Sequence, residues 1–362
     1  MNRYIEILKQ IIPNFTNEFL EIPFRDIGID SIDLVTIRVQ FEKLIKNEIQ
    51  EQIWYSFKKF SEIINYCISI VPLPNIEQNF SPTNVQKSCK IGMPQMTNYG
   101  LSENWLFKEL GDLHWQLITK GLGIESSELF DDLGNRLYAT FIRIRLNISS
   151  LKNFTENAYI NFEGEIKRYG NTTFISSINC QSNNNAVNAE LITNFSIRNT
   201  DNNINLSKVT IKNEIIKVQE TTSIPDLLTE YQLLRKGLQE KISLCNFKFE
   251  LTQNIIFETV YKINPYYDLN GVGLLYFAAY PTINDFCENE YFKNKYSDWV
   301  FRFYTIARDI LYFGNCDFND TIIYQLNEFE FINDETVKIA SSLYRKIDNK
   351  KIAQIFTIKK HK

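Results

Sequence analysis

Over the first seventy positions apolar residues recur at helical spacing, whereas beyond about position 135 they mostly alternate with polar ones. Tyr4, Ile5, Leu8, Ile11 and Ile12 make one helical stripe, and Pro13 ends it. Leu34, Ile37, Phe41, Leu44 and Ile45 predict a second helix from Ser31 to about Lys46, and Phe60, Ile63, Ile64 and Cys67 a further one. From about Pro72 to Ser88 the chain is rich in Pro, Asn, Gln, Ser and Thr without apolar periodicity, the composition of a linker. After a turn at Gly92 to Met96, one long helix is expected, with Leu106, Leu110, Leu113, Leu117 and Ile118 buried, Ser102 to cap it and Gly121 to Gly123 to end it. Alternating stretches at 138–146, 158–166, 173–178 and 190–198 predict half-buried strands, with a hairpin turn at Gly170-Asn171. The same order recurs: a strand over 249–261, a turn over 264–271, an apolar helix from Val272 to about Glu290, then strands at 310–313, 321–331, 337–344 and 352–358. The expected division is a bundle over 1–71, a linker over 72–88, and two helix-and-sheet units over 89–210 and 211–362.

Composition narrows the function. A formal charge of -4 gives no basic field for nucleic acid. The longest apolar run, Gly271 to Tyr280, falls far short of the roughly 20 residues that span a bilayer, so neither nucleic acid nor membrane is an expected partner. Glu6 and Lys9 lie inside the first helical stripe, unlike a signal peptide, and the six cysteines lack any Cys-x-x-Cys pair, so reduced thiols and a cytoplasmic location are expected. With His114 and His361 the only histidines, no metal site is expected.

Candidate chemistry starts at Ser31, which Asp30 and Asp33 flank at a loop-to-helix junction. In isolation such a serine is a helix cap. In this setting, Gly28-Ile-Asp-Ser-Ile-Asp-Leu34 resembles the attachment motif of acyl carrier proteins, and the resemblance covers residues 1–71. It implies a 4'-phosphopantetheine arm on Ser31 and a phosphopantetheinyl transferase as partner. One departure is charge: residues 1–72 hold ten acids against eight bases, less acidic than that family.

A second resemblance rests on Gly92-Met-Pro94, Gly100-Leu-Ser-Glu-Asn-Trp-Leu106, Leu110-Gly-Asp-Leu-His-Trp115, Arg136-Leu-Tyr-Ala-Thr-Phe141 and Asn264-Pro-Tyr-Tyr-Asp-Leu-Asn-Gly-Val272. Over about residues 88–362 the chain is similar to the leinamycin-type bifunctional acyltransferase/decarboxylases. The fold class so implied is an α+β double hot-dog, here preceded by an all-α acyl-carrier-protein helical bundle. The resemblance further implies a (methyl)malonyl coenzyme A thioester as substrate, loss of carbon dioxide, delivery of propionyl or acetyl to a carrier, and downstream polyketide synthase components as partners. Its catalytic tyrosine is matched to Tyr138, and because that family's acceptor is a separate protein, the fused bundle points to delivery within the chain.

Decarboxylation sends an electron pair into the thioester carbonyl, so it needs an oxyanion stabiliser more than a base. Helix starts near Gly100 and Gly271 are candidates, with Glu103, Asn104, Asp268 and Asn270 as substrate-binding candidates. Tyr138 is either a nucleophile, which requires its phenol to ionise, or a hydrogen-bond donor, which does not. Three other readings stay open: a hot-dog thioesterase that orients water with Glu103 or Asp268, a dehydratase that uses His114, and a non-catalytic carrier with a substrate-holding partner domain.

Overall fold

The computed structural model describes residues 2–12, 14–70, 83–131, 134–198, 206–208, 218–251, 254–293, 295–296 and 298–361. Four helices open the chain: α1 (Asn2–Ile11), α2 (Ser31–Ile45), α3 (Glu51–Ser56) and α4 (Phe60–Ser69). Leu8, Ile37, Phe41, Phe60 and Ile63 are wholly buried in a core of the bundle's own. α2 ends where the left-handed Lys46 breaks it.

Of the stretch expected as linker, residues 72–82 lie outside the described residues. Residues 83–88 are a correction, because they sit in β1 (Thr83–Lys90), which pairs with the next unit's β3. Backbone pairing there overrides the polar composition. The first helix-and-sheet unit then runs α5 (Glu103–Leu122), β2 (Tyr138–Ile148), β3 (Tyr159–Tyr169), β4 (Thr173–Ser182) and β5 (Asn185–Arg198). Ser102 caps α5 by accepting from Trp105 N, and Gly123 closes it in the left-handed conformation.

After α6 (Asp226–Arg235) and a small hairpin of β6 (Lys241–Leu244) and β7 (Phe247–Glu250), the order repeats as β8 (Phe257–Lys262), α7 (Ala279–Phe292), β9 (Phe303–Tyr312), β10 (Thr321–Asn333), β11 (Thr336–Arg345) and β12 (Lys350–His361). Three expectations change here. The strand expected over 310–313 begins seven residues earlier, at Phe303. The strand over 249–261 is split between β7 and β8, and α7 starts at Ala279, not Val272, because Asn270 Oδ1 accepts from Val272 N and Leu274 N and so ties the preceding stretch into a turn.

All these long strands form one antiparallel sheet in the order β1-β3-β4-β5-β2-β9-β12-β11-β10-β8. The halves are mirror repeats: in each, the strand before the helix takes the edge and the strand after it takes the centre. α5 and α7 contact each other and pack on one face of the sheet, over the large apolar core. α6, the β6–β7 hairpin and one side of α2 cover the opposite face, where Ile142, Ile192, Tyr231, Phe249 and Phe356 form a second cluster.

The halves meet through β2 and β9, whose ladder runs from Arg143↔Leu311 to Asn147↔Ala307. At that junction Arg143, wholly buried, donates Nε to Asp309 Oδ1 (3.0 Å) and Nη2 to Asp309 Oδ2 (2.7 Å). Its remaining donors reach Leu227 O (2.8 Å) and Glu230 (2.5 Å) on α6, and Arg145 bonds the same two acids. Burial alone would raise the Asp309 pKa, but Arg143 and Arg145 outweigh it and hold the carboxylate below its ordinary range. One ionic network thus binds both halves and α6.

In the first unit His114 is wholly buried, with Nδ1 2.6 Å from Ser176 Oγ and Nε2 2.8 Å from Thr193 Oγ1. Burial pushes its pKa down to about 3. The folded value lies below the unfolded one, so the unfolded chain takes the proton first; the stability His114 contributes is complete above about pH 6.5 and is lost as pH falls toward 3. About 2 to 3 kcal/mol should disappear between roughly pH 6.5 and 4.5. His114→Gln should flatten that slope in urea unfolding followed against pH.

Candidate functional site

A cleft of about 430 Å³ opens where the β2–β9 ladder stops. Tyr138–Ile142 of β2 lie on one side of the gap and Tyr312–Asn315 on the other. The lining comes from both faces of the sheet. Gly111, Asp112 and Trp115 of α5 and Tyr280 of α7 close the inner end, while Ser31, Ile32, Tyr231 and Arg235 stand at the outer end. Asn194, Ser196 and Arg198 of β5, the loop residues Asn270, Val272 and Leu274–Phe277, and Lys350 at the start of β12 complete the walls.

Ser31 and Tyr138, far apart in sequence, therefore border the same space. Ser31 is exposed at the first position of α2, and it is not the cap. Asp30 takes that role, accepting from Ile32 N (2.6 Å) and Asp33 N (3.0 Å), while Asp33 accepts from Asp30 N (3.2 Å). The capping duty is met by a neighbour, which leaves the Ser31 hydroxyl without a hydrogen bond among the described residues.

The lining tyrosines divide by the same criterion. Tyr231 donates to Tyr312 O (2.8 Å), Tyr280 to Gly314 O (2.8 Å) and Tyr312 to Phe277 O (3.2 Å), so their hydroxyls hold the loops of the gap. Tyr138 and Tyr276 make no such bond among the described residues, which leaves both phenols to a ligand. The Arg136 guanidinium lies 5.6 Å from the Tyr138 ring centroid, over its face and not at its oxygen. Burial raises the Tyr276 pKa, with Asp112 adding to it, so Tyr276 keeps its proton. Asp112 is the one carboxylate among the described lining residues; it is exposed and accepts from Gln116 (2.7 Å). The first turn of α7, at Tyr280, turns the positive end of that helix toward the cleft.

Of the other candidates, only Asn270 lines the cleft, its Oδ1 occupied by the turn. Gly100 lies away from it: an added Cβ would stand 2.3 Å from Leu151 O, so this glycine permits a close backbone approach. Gly271 is neither a lining residue nor a helix start. Asn104 donates to Ala278 O (3.2 Å) and Thr282 Oγ1 (2.8 Å), fastening α5 to α7. Asp268 accepts from Tyr261 OH (2.9 Å) and Asn264 N (2.7 Å) and holds a turn.

Glu103 belongs to a buried ionic cluster, with Oε1 2.6 Å from Arg308 Nε. Arg308 also meets Asp285 (2.9 Å), and Lys359 meets Glu288 (2.5 Å) and Asp285 (3.5 Å). Burial pushes the Glu103 pKa up against the pull of Arg308. By the repeat, this cluster occupies the position that mirrors the cleft: the start of α5, the middle of α7 and the start of β9 replace the start of α7, the middle of α5 and the start of β2.

The pattern of the sequence missed α6, which brings Tyr231 and Arg235 to the cleft, although Leu227, Leu228, Tyr231 and Leu234 after Pro225 carry its signal. Tyr276, Phe277 and Phe313 sit in irregular backbone, where no periodicity marks them.

No family model and no curated protein matches the sequence. Solved structures do match. The 12:0-ACP thioesterase of Umbellularia californica aligns at a TM-score of 0.55 and 9% identity, over 77% of this chain and 95% of its own. A Lactobacillus plantarum protein described as an oleoyl thioesterase aligns at 0.57 and 11%, over 78% and 97%. An acyl-ACP thioesterase of Bacteroides thetaiotaomicron aligns at 0.50 and 9%, over 76% and 98%. The body has the hot-dog fold of acyl thioesterases. At such identities the likeness is one of fold.

Glu103→Ala leaves Arg308 with one fewer buried partner and should cost about 3 to 5 kcal/mol in urea unfolding. Loss of activity without loss of stability would instead place Glu103 at the chemistry.

Proposed function

We propose that this chain is an enzyme of acyl thioesters whose N-terminal bundle is an acyl carrier, and that the acyl group is processed in the cleft Ser31 borders. The observation that carries this reading is the shared position of Ser31 and Tyr138 around one opening. The residues at its outer end fit a 4'-phosphopantetheine: Ser31 is exposed and spared from capping, and Arg235 offers a cation beside it for a phosphodiester. Such an arm supplies a thiol that holds an acyl group as a thioester. A phosphopantetheinyl transferase is then required to install it.

Two fates for the acyl group remain, hydrolysis and transfer. The comparisons weigh toward hydrolysis, since the fold neighbours are thioesterases by name. Asp112 would orient the water, because Glu103 and Asp268 are bound elsewhere. Transfer with loss of carbon dioxide rests on the resemblance of residues 88–362, since donors to a carbonyl oxygen in the lining would serve either fate. In a malonyl-type coenzyme A thioester the bond from Cα to the carboxylate breaks, carbon dioxide leaves, the electron pair enters the thioester carbonyl, and a proton from water restores Cα; for transfer, the arm's thiolate attacks the carbonyl carbon and coenzyme A leaves as its thiol. Tyr138 and Tyr276 donate hydrogen bonds to the oxygen that gains charge, the α7 start adds its dipole, and Trp115 and Phe277 exclude water. Dehydration has no support in the cleft, since His114 is held between hydroxyls.

The arm-bearing protein incubated with methylmalonyl and malonyl coenzyme A should show propionyl or acetyl mass on the Ser31 peptide. A bare arm with free acid would establish hydrolysis, and a retained carboxyl would establish transfer alone. Tyr138→Phe should slow acyl gain on the order of 10²- to 10³-fold. Ser31→Ala should abolish covalent product while donor decarboxylation stays measurable.

A further inference from the structure

α2 carries two stripes. Ile37, Phe41 and Ile45 face the bundle core, whereas Ile32 and Val39 pack with Leu228, Tyr231 and Tyr169 of the body. The second stripe would be an exposed apolar face on a free carrier bundle. Its polar positions are matched just as specifically. Gln232 of α6 donates to Thr36 Oγ1 (2.7 Å), and Gln40 donates to Tyr169 OH (2.7 Å). Lys43 reaches Thr221 O (2.7 Å), and Asn171 reaches Glu48 (2.9 Å). At the end nearest the cleft, Arg235 lies 3.3 Å from Asp30 and Lys236 lies 2.6 Å from the wholly buried Asp33. Gly170, at φ +63°, lets the β3–β4 turn approach Val39, where any Cβ would collide.

We propose that the C-terminal end of α6, with the β3–β4 turn, is a docking surface for this chain's own carrier bundle, and that Lys236 is its main positioning residue. Lys236 reads Asp33 and Arg235 reads Asp30, the carboxylates on either side of Ser31, so the serine reaches the cleft only when both are paired. The same acids cap α2, so the docking surface recognises the local structure that presents the serine. The proposal rests on the carrier reading for its purpose, but docking itself is measurable without any acyl group.

The test uses the full chain in its apo and arm-bearing forms. Lys236→Glu places two acids against each other and should raise the radius of gyration in small-angle scattering, as high salt should for the wild type. In the arm-bearing form it should slow acylation of Ser31 at least tenfold with the KM for the coenzyme A donor unchanged, and Lys236→Arg should restore both. Lys43→Glu, at the other end of the interface, should act in the same direction, and a body melting transition like the wild type's in either variant separates undocking from unfolding. A Lys236→Glu chain as compact as the wild type, with the same rate of Ser31 acylation, overturns the proposal. A wild type that is compact and salt-sensitive yet never acylated at Ser31 supports docking and overturns the carrier reading instead.

Discussion

The bidentate pair of Arg143 and Asp309 governs where this molecule can open. Arg143 stands at the last rung joining the two halves of the sheet and reaches Asp309 two rungs in, and both are wholly buried, so removing either charge unbalances the network they share with Arg145 and Glu230. One rung further the strands part and the cleft begins. The spare donors of the same arginine hold Leu227 and Glu230, which fixes α6 against the seam. From α6 the constraint passes to the bundle through Gln232, Arg235 and Lys236. A single buried charge pair thereby relates the wall bearing Tyr138 to the helix start bearing Ser31.

The opening is apolar along much of its length and polar where oxygen atoms would sit. Tyr231, Tyr280 and Tyr312 are spent on backbone carbonyls and keep the loops apart; Tyr138 and Tyr276 are not. The distinction between a phenol spent on the fold and one left open to the cleft is therefore one of hydrogen-bond partners among the described residues, since all of them line the same space. It also explains why the acids and amides next to the helix starts turned out to be ties within the fold: a helix start at a subunit-like junction needs its own charges and turns satisfied before it can serve a ligand.

Much of the fold was legible from periodicity. The α5 residues Leu106, Leu110, Leu113 and Leu117, its cap Ser102 and its terminator Gly123 stand as expected, as do the long strands of the first unit and the last three of the second, because each has one buried face and a two- or 3.6-residue repeat imposes the pattern. The site was legible only in part. Ser31 and Tyr138 were singled out through motifs and both line the cleft, but their proximity depends on where a ladder ends, which no local pattern records. Val272 to Ala278 read as helix since they are apolar, whereas the Asn270 turn and the path into the cleft keep them irregular. The two apolar stripes of α2 were both present in the sequence, Ile32 and Val39 included, yet one helix stripe is enough to predict a helix and the second has meaning only once α6 exists.

The mirrored position of the cleft holds Glu103, Arg308, Asp285, Glu288 and Lys359 in place of a void. The repeated order of elements offers two equivalent positions, and charges fill one of them. The position left open is the one that Ser31 of the bundle borders. The asymmetry between the halves and the seat of the bundle thus fall at the same place in the fold.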